Sequence, residues 1–163
     1  MGKRPYSIII ENSGKPYEQC ATAINKANSV LGMIRRNITF KSKEVIVKLY
    51  KSLVRPRLEY CVQAWRPYLK KDIEAIERVQ RRATKLIGGY HNMSYEDRLK
   101  NIGLISLEKR WGGGDLIQVF KILKGFDKID YRLFFELVRG GKTRGHNLKL
   151  VKNRSNGNLR KYF

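Results

Sequence analysis

The sequence predicts a mainly α-helical protein, and three observations support this fold class. Apolar residues recur at intervals of three and four from Tyr17 to Leu123, which is the period of amphipathic helices. Only Pro5 to Ile10 has the composition of a strand, and it ends at a turn-forming Asn-Ser-Gly. With 42% apolar residues, a chain of 163 residues can build one helical core. We expect a helical bundle with at most a short N-terminal β-hairpin and a basic C-terminal tail.

The predicted organisation has three parts. Residues 1–14 form the short strand region, residues 15–138 the helical domain, and residues 139–163 the basic tail. The last of these segments carries eight Lys or Arg residues, four Gly residues and no acidic residue. Such a composition is typical of a basic tail or a partly ordered hairpin arm.

The first two helices follow from their apolar spacing. One helix is predicted from Tyr17 to Arg36 and a second from near Ser42. Pro56 lacks a backbone donor and disfavours helical geometry at Arg55, so the second helix should kink or restart there. The predicted inward residues are Cys20, Ile24, Ala27, Leu31 and Ile34 in the first helix, then Ile46, Leu49, Leu53, Leu58, Cys61 and Trp65.

The third helix is predicted from Lys70 to Ile87, after a short Arg66-Pro67 connection. It ends at Gly88-Gly89, where a positive φ can form a C-terminal cap. Its inward residues are Ile73, Ile76, Ala83 and Leu86, and a basic stripe of Arg78, Arg81, Arg82 and Lys85 lies opposite them at i, i+3, i+4, i+7 spacing.

Two further helices are predicted. Ser94-Tyr95-Glu96-Asp97 resembles a capping box that starts a short helix ending before Gly103. A fifth helix should run from Leu107 to Lys124 and stop at Gly125, and its inward residues are Trp111, Ile117, Phe120 and Leu123. We expect a distortion at Gly112-Gly113-Gly114, because each Gly costs about 1 kcal/mol relative to Ala in a helix.

The charge of the chain indicates a polyanionic partner. Lys and Arg number 35 against 14 Asp and Glu, a formal charge of +21, whereas a magnitude of about 2 to 8 suffices for the solubility of a small domain. Nucleic acid and anionic membrane are the usual polyanions. No apolar run reaches the roughly 18 residues that span a bilayer, so nucleic acid is favoured over membrane.

The predicted nucleic-acid-binding residues are Arg78, Arg81, Arg82, Lys85, Lys142, Arg144, Lys149, Lys152 and Arg154. The competing interpretation of the basic stripe is an ordinary solvated helix face. Four aromatic residues could stack on unpaired bases, although such residues more often belong to a core: Tyr50, Tyr60, Trp65 and Tyr68.

Other chemistry has little support in the sequence. Cys20 and Cys61 lie on apolar helical faces and are predicted to be structural thiols. His91 and His146 are far apart and lack the Cys or carboxylate neighbours of a metal site or a nucleophilic triad. We therefore expect no metal site and no catalytic residue in this chain.

Several short blocks, in this order, resemble reverse transcriptases of non-LTR (LINE-type) retrotransposons, in the region just after the palm. The blocks are Lys26-Ala27-Asn28, Leu31 to Arg36, Val54-Arg55-Pro56, Leu58-Glu59-Tyr60 with Trp65, Arg78 to Ala83, Ser94 to Leu99, Gly103-Leu104 with Leu107-Glu108, Asp115 to Leu123, and Thr143 to His146. The resemblance covers roughly residues 26 to 163. In that family the region forms the helical thumb, which implies a grip on the template-primer duplex.

The chain departs from the family in three ways. It has no adjacent aspartates, whereas the family's palm needs two carboxylates to hold two Mg²⁺ ions. Trp111-Gly112-Gly113-Gly114 stands where the family continues a basic helix, and the chain stops where the family runs on. The resemblance therefore implies a fragment without polymerase activity of its own, with Mg²⁺ relevant only if another chain supplies a palm.

The expected partners are RNA or an RNA-DNA duplex, and a palm-bearing polypeptide, with no membrane and no small-molecule substrate. The alternative is a non-catalytic helical scaffold or an interaction module for an acidic protein. The N-terminus has no apolar stretch of signal-peptide length, so we expect an intracellular protein, nuclear or cytoplasmic.

Overall fold

The computed structural model describes residues 17–138 and 148–151, and these are mainly α-helical. In chain order the helical segments are α1 (Tyr17–Asn37), α2 (Lys43–Leu49), a π-helical turn (Tyr50–Val54), α3 (Arg55–Glu59), α4 (Val62–Trp65), α5 (Lys70–Lys85), α6 (Tyr95–Ile102), α7 (Leu107–Leu123) and a 3₁₀ turn (Tyr131–Leu133). The prediction of an all-α fold class is confirmed. The strand predicted from Pro5 to Ile10 lies outside the described residues.

Contacts divide the chain into two compact units, Met1–Trp111 and Gly112–Phe163. The division falls within the predicted helical domain of residues 15–138. The first unit contains the core, which is built from the inner faces of α1, α2, α3 and α5. Its most deeply buried side chains include Ala27, Ile46, Val54, Leu58, Ile76, Val79 and Leu107.

The helix that contains Pro56 widens instead of breaking. The Arg55 N–H donates to the Tyr50 carbonyl, which is the i→i+5 bond of a π-turn. Pro56 lies in the first turn of α3, where a missing N–H is tolerated. The chain thus stays helical from Lys43 to Glu59, with a π-turn at the predicted irregularity and a new α-helical segment that begins at Arg55.

The end of α3 contradicts the prediction for Cys61. This residue is exposed and has a left-handed backbone with φ of 50°, so the helical period that would have turned it inward is interrupted there. Trp65 follows in α4 with only 3% of its surface exposed, and its Nε1 donates to the Tyr60 carbonyl at 2.7 Å. Cys20 is buried in α1, as predicted.

Both ends of α6 follow the predicted signals. The Ser94 hydroxyl accepts a hydrogen bond from the Asp97 N–H at 3.1 Å, which caps the helix N-terminus. Gly103 ends the helix with φ of 63°, a conformation that glycine adopts without the steric penalty of a Cβ atom.

The second unit departs from two sequence predictions. α7 remains helical through Gly112-Gly113-Gly114, so the predicted distortion is wrong. Ile117 and Phe120, predicted to point inward, are 59% and 52% exposed. Helical periodicity identifies an apolar face, but it does not supply the element that would cover it.

The described part of the tail pairs with the end of the helical region. Leu137 and Leu150 form an antiparallel bridge, and the Val138 N–H donates to the Lys149 carbonyl at 2.8 Å. The Val151 N–H donates to the Glu136 carbonyl at the same distance of 2.8 Å. Of the two predicted forms of the tail, a basic tail and a partly ordered hairpin arm, the pairing of these residues favours the hairpin arm.

Candidate functional site

The basic stripe lies on the solvent-facing side of α5, as its spacing predicts. Arg78, Arg81, Arg82 and Lys85 are all exposed, whereas Ile76, Val79 and Ala83 are buried on the opposite face. The predicted inward residues Ile73 and Leu86 are half-buried. The helix therefore separates a core-forming face from a cationic one.

Charge is also segregated along α5. Its acidic residues, Asp72, Glu74 and Glu77, precede the stripe, and the segment from Arg78 to Lys85 contains four basic residues and no acidic one. Part of this order is explained by helix energetics. Arg82 and Lys85 lie in the last turn, where a cation typically stabilises a helix by about 0.3–1 kcal/mol through the macrodipole. Arg78 and Arg81 lie earlier, where that effect has faded.

Glu77, the acidic residue closest in sequence to the stripe, has both carboxylate oxygens engaged in the fold. Its Oε2 accepts from the Leu107 N–H at 2.9 Å, and its Oε1 accepts from the Tyr95 hydroxyl. These bonds direct the carboxylate to the start of α7 and to α6. Glu77 therefore serves mainly to join α5 to its neighbours.

Arg81 occupies the α6 side of the stripe. Its guanidinium carbon lies 4.6 Å from the centre of the Tyr95 ring, and that of Arg98 lies 5.5 Å from the same ring. Arg98 is buried, and its Nη1 donates to the Arg81 carbonyl at 3.4 Å. Cation–π contacts of this kind hold a guanidinium in place without removing its charge.

Arg82 occupies the α1 side of the stripe. Its Nη1 donates to Asn28 Oδ1 at 3.0 Å, which joins two helices that are far apart in the sequence. Beside this bond is an open groove with a volume of about 530 Å³. The groove is lined by Asn28, Leu31, Gly32, Arg35, Lys41, Arg82, Lys85, Leu86 and His91.

The groove has a cationic rim and an apolar floor. Arg35, Lys41, Arg82 and Lys85 supply the positive charge, and none of the described residues that line the groove is acidic. The Gly88 N–H donates to the Lys41 carbonyl at 3.1 Å, which fixes the loop before α2 against the end of α5. An anion is the complementary ligand for such a rim.

A buried polar network supports α5 beneath the stripe. The Tyr50 hydroxyl donates to Gln80 Oε1 at 2.5 Å, and Gln80 Nε2 donates to the Tyr95 hydroxyl at 2.9 Å and to the Ile105 carbonyl at 3.0 Å. Burial raises the pKa of Tyr50. Burial, together with the hydrogen bond to Glu77, also raises the pKa of Tyr95. Both phenols are therefore neutral donors at ordinary pH.

The aromatic residues considered for base stacking divide into two groups. Tyr50 and Trp65 are 3% exposed and belong to the core, so the core interpretation is confirmed for both. Tyr60 is exposed and Tyr68 is half-buried. Neither of these two lines the groove beside α5.

The structure brings together only part of the predicted binding set. The four residues of the stripe share one helix, and Arg82 and Lys85 also line the groove. Lys149 lies in the second unit, next to the Leu137–Leu150 bridge. Lys142, Arg144, Lys152 and Arg154 lie outside the described residues, as does His146.

Sequence reasoning gave no binding role to the four other polar residues of the lining, namely Asn28, Arg35, Lys41 and His91. Arg35 carried a signal, since it lies in the last turn of α1 beside Arg36. His91 has no metal-site or triad neighbours in the sequence, so its position beside a groove has no sequence signal. The approach of α1 to α5, which makes these residues neighbours, has no local signature.

Residues 17–138 and 148–151 contain no group of three or more His, Cys, Asp or Glu side chains placed to hold a metal ion. No helix within those ranges combines the length and apolar character needed to cross a bilayer.

Comparison with protein-family models, curated proteins and solved structures finds no match to this chain.

Proposed function

We propose that this chain is a nucleic-acid-binding helical module, the thumb-like part of a LINE-type retroelement reverse transcriptase (RNA-directed DNA polymerase). In this proposal it grips the template-primer backbone and has no catalytic site of its own. The observation that carries it is the exposed stripe of α5, which continues into a groove whose described lining has no acidic residue. The ordered sequence blocks that resemble the LINE-type family support the assignment to a thumb.

The overall charge supports a nucleic-acid partner over a merely solvated surface. With a formal charge of +21, the basic side chains repel one another. Phosphates that neutralise these side chains, with release of condensed counterions, reduce this electrostatic repulsion. Arginine guanidinium groups are well suited to phosphate oxygens because they donate two parallel hydrogen bonds. The stripe contains three such groups at Arg78, Arg81 and Arg82.

The proposed contact is to the backbone rather than to base edges. Phosphate contacts position a protein on a duplex but carry no sequence information. A single exposed face of basic side chains therefore implies binding with little sequence preference. The proposed partners are RNA or a primed RNA-DNA duplex, together with a palm-bearing polypeptide, in an intracellular setting.

Catalysis in this proposal belongs to another polypeptide. Two-metal phosphoryl transfer requires carboxylates that hold both Mg²⁺ ions, and the five Asp residues of this sequence include no adjacent pair. We expect no nucleotide incorporation by the isolated chain on a primed template with Mg²⁺. Incorporation that survives repurification would contradict this expectation.

The competing function is a helical scaffold that docks an acidic protein. The two functions differ in the dependence of affinity on salt. For several phosphate contacts, log affinity should fall against log salt with a slope of about −4 to −8. We would measure the affinity of the full chain for two primed RNA-DNA duplexes of unrelated sequence, with polyglutamate as a control anion.

The proposal predicts a steep slope that is equal for the two duplexes, and weak binding of polyglutamate. Indifference to both duplexes, or tighter binding of polyglutamate than of nucleic acid, would favour the scaffold.

A further inference from the structure

We infer that the groove between α1 and α5 holds an unpaired nucleotide of a single strand that leaves the duplex, with its phosphate on the rim and its base over the floor. This inference rests on the proposed function and deepens it, because it gives the stripe and the groove different ligands. The stripe would follow paired backbone, and the groove would take the strand where pairing ends.

The dimensions of the groove fit a ligand larger than an isolated anion. Its volume is about 530 Å³, which lies within the roughly 300–1,000 Å³ of sites that hold small organic molecules. A lone phosphate needs only a few donors at one point. Here the cationic groups come from three places in the chain: the end of α1, the loop before α2, and the end of α5.

The chemistry of the lining favours a nucleotide over an acidic peptide. Leu31, Gly32 and Leu86 provide an apolar floor, on which a carboxylate side chain would gain nothing. A nucleobase has an apolar face that could cover such a floor. His91 and the rim arginines add the flat imidazole and guanidinium groups on which unpaired bases commonly stack.

The groove also shares two residues, Arg82 and Lys85, with the stripe. Arg82 belongs to both, and its bond to Asn28 places the guanidinium at the boundary between them. One strand could therefore pass from the exposed face of α5 into the groove without leaving the cationic surface. That continuity points to the junction of double and single strands as the preferred ligand.

Gly32 allows a test that leaves every charge in place. A Cβ atom built at Gly32 meets only Arg36 Nη1, at 3.6 Å, an ordinary contact distance. Gly32 lies inside α1, where Leu and Ala both favour the helix more than Gly does. Gly32→Leu should therefore fill the floor without unfolding α1, and Gly32→Ala is the matched control.

The experiment uses the full chain and three fluorescent probes: a blunt RNA-DNA duplex, the same duplex with a short single-stranded extension, and that duplex with an abasic extension. The abasic probe has the same phosphates as the normal extension. We expect the normal extension to bind about tenfold more tightly than the abasic one. Gly32→Leu should remove this difference and keep the blunt-duplex affinity, while Gly32→Ala should resemble the wild type.

A second pair of variants tests the rim. Arg35→Ala with Lys41→Ala should weaken binding of the extended duplex more than that of the blunt duplex. The control, Lys51→Ala with Lys100→Ala, removes the same charge from exposed positions outside the groove and should weaken both duplexes equally. Circular dichroism of each variant checks that the helices are retained.

Several outcomes would overturn the inference. Equal affinity for normal and abasic extensions would show that no base binds in the groove. Displacement of the extended duplex by inorganic phosphate or polyglutamate would show that the groove is only an anion site. Equal losses of duplex affinity for the rim pair and its control would show that the groove does not contribute to binding. Steep salt dependence on the blunt duplex would preserve the proposed function in each case, whereas failure to bind any probe would contradict both.

Discussion

Arg82 and Asn28 join α5 to α1 through a hydrogen bond of 3.0 Å at the edge of the groove. The two residues belong to different predicted helices, and the bond links the exposed basic face of α5 to the lining contributed by α1. Because the bond is exposed, its contribution to stability is small. Because it lies beside the groove, a change of charge at Asn28 should alter the affinity for nucleic acid.

Asn28→Asp separates these two effects. A carboxylate at this position would pair with the Arg82 guanidinium, and an exposed pair of this kind stabilises a fold by only about 0–1 kcal/mol. We expect the melting temperature to stay level or rise slightly, while affinity for a primed RNA-DNA duplex falls several-fold. The salt slope should become shallower by about one phosphate contact. A variant that binds as well as the wild type would contradict the role assigned to the groove, whereas earlier melting would contradict only the expected pairing with Arg82.

Tyr50→Phe tests the buried network under the stripe. The change removes the hydroxyl that donates to Gln80 Oε1 at 2.5 Å, between side chains that are 3% and 1% exposed. Leaving this buried acceptor without its donor should cost about 1–3 kcal/mol of unfolding free energy, measured by urea denaturation. Duplex affinity should not change below the unfolding transition. Lost affinity with unchanged stability would place Tyr50 in the binding surface instead.

Alkaline pH should destabilise the first unit through Cys20. Burial, reinforced by the nearby Asp72 carboxylate, raises the pKa of the Cys20 thiol from 9.0 to about 12. The folded chain therefore keeps a proton that the unfolded chain releases, so stability is complete below about pH 9 and is lost progressively toward pH 12. Cys20→Ala removes this titration, whereas the neutralisation of lysines is common to both proteins.

Melting temperatures measured from neutral to alkaline pH provide the comparison. The difference between the wild type and Cys20→Ala should shift in favour of the variant as pH rises above about 9. A constant difference across that range would mean that the thiol is accessible to solvent.

The glycine triplet in α7 provides a test by stabilisation. Gly113 and Gly114 are helical, and a Cβ atom at either position meets nothing within 4 Å. Gly113→Ala with Gly114→Ala should stabilise the helix by about 1 kcal/mol per substitution, with increased helicity by circular dichroism. Leu116→Ala, at an exposed position of the same helix, is a control that should give no such gain, because Leu and Ala have similar helix propensities. Loss of helicity in the double variant would show that the glycines need a non-helical conformation.

The helices and the basic stripe could be predicted because their signals are local. Ser94 and Gly103 mark the ends of α6 through the capping chemistry of single residues, and the stripe follows from the period of α5 alone. Pro56 also carried a local signal, which predicted an irregular helix at this point but did not specify a π-turn.

The groove could not be predicted because it depends on tertiary contact. Asn28 and Arg82 become neighbours only when α1 packs against α5, and periodicity says nothing about which helices meet. The same limit applies to Phe120, which remains 52% exposed because periodicity does not say what covers a face. Cys61 differs for a local reason, because its left-handed backbone interrupts the helical period.

If the stripe on α5 grips a phosphate backbone, the salt slope of duplex affinity should distinguish two matched variants. One replaces the stripe: Arg78→Gln, Arg81→Gln, Arg82→Gln and Lys85→Gln. The other replaces four exposed lysines elsewhere in the first unit: Lys43→Gln, Lys51→Gln, Lys100→Gln and Lys109→Gln. Both variants lose the same charge, and circular dichroism confirms that each remains helical.

We expect the stripe variant to lose several units of slope, at about 0.7–0.9 per phosphate contact, and the lysine variant to keep nearly the wild-type slope. Equal losses of affinity and slope in the two variants would contradict this expectation, because only nonspecific attraction by net charge would then remain.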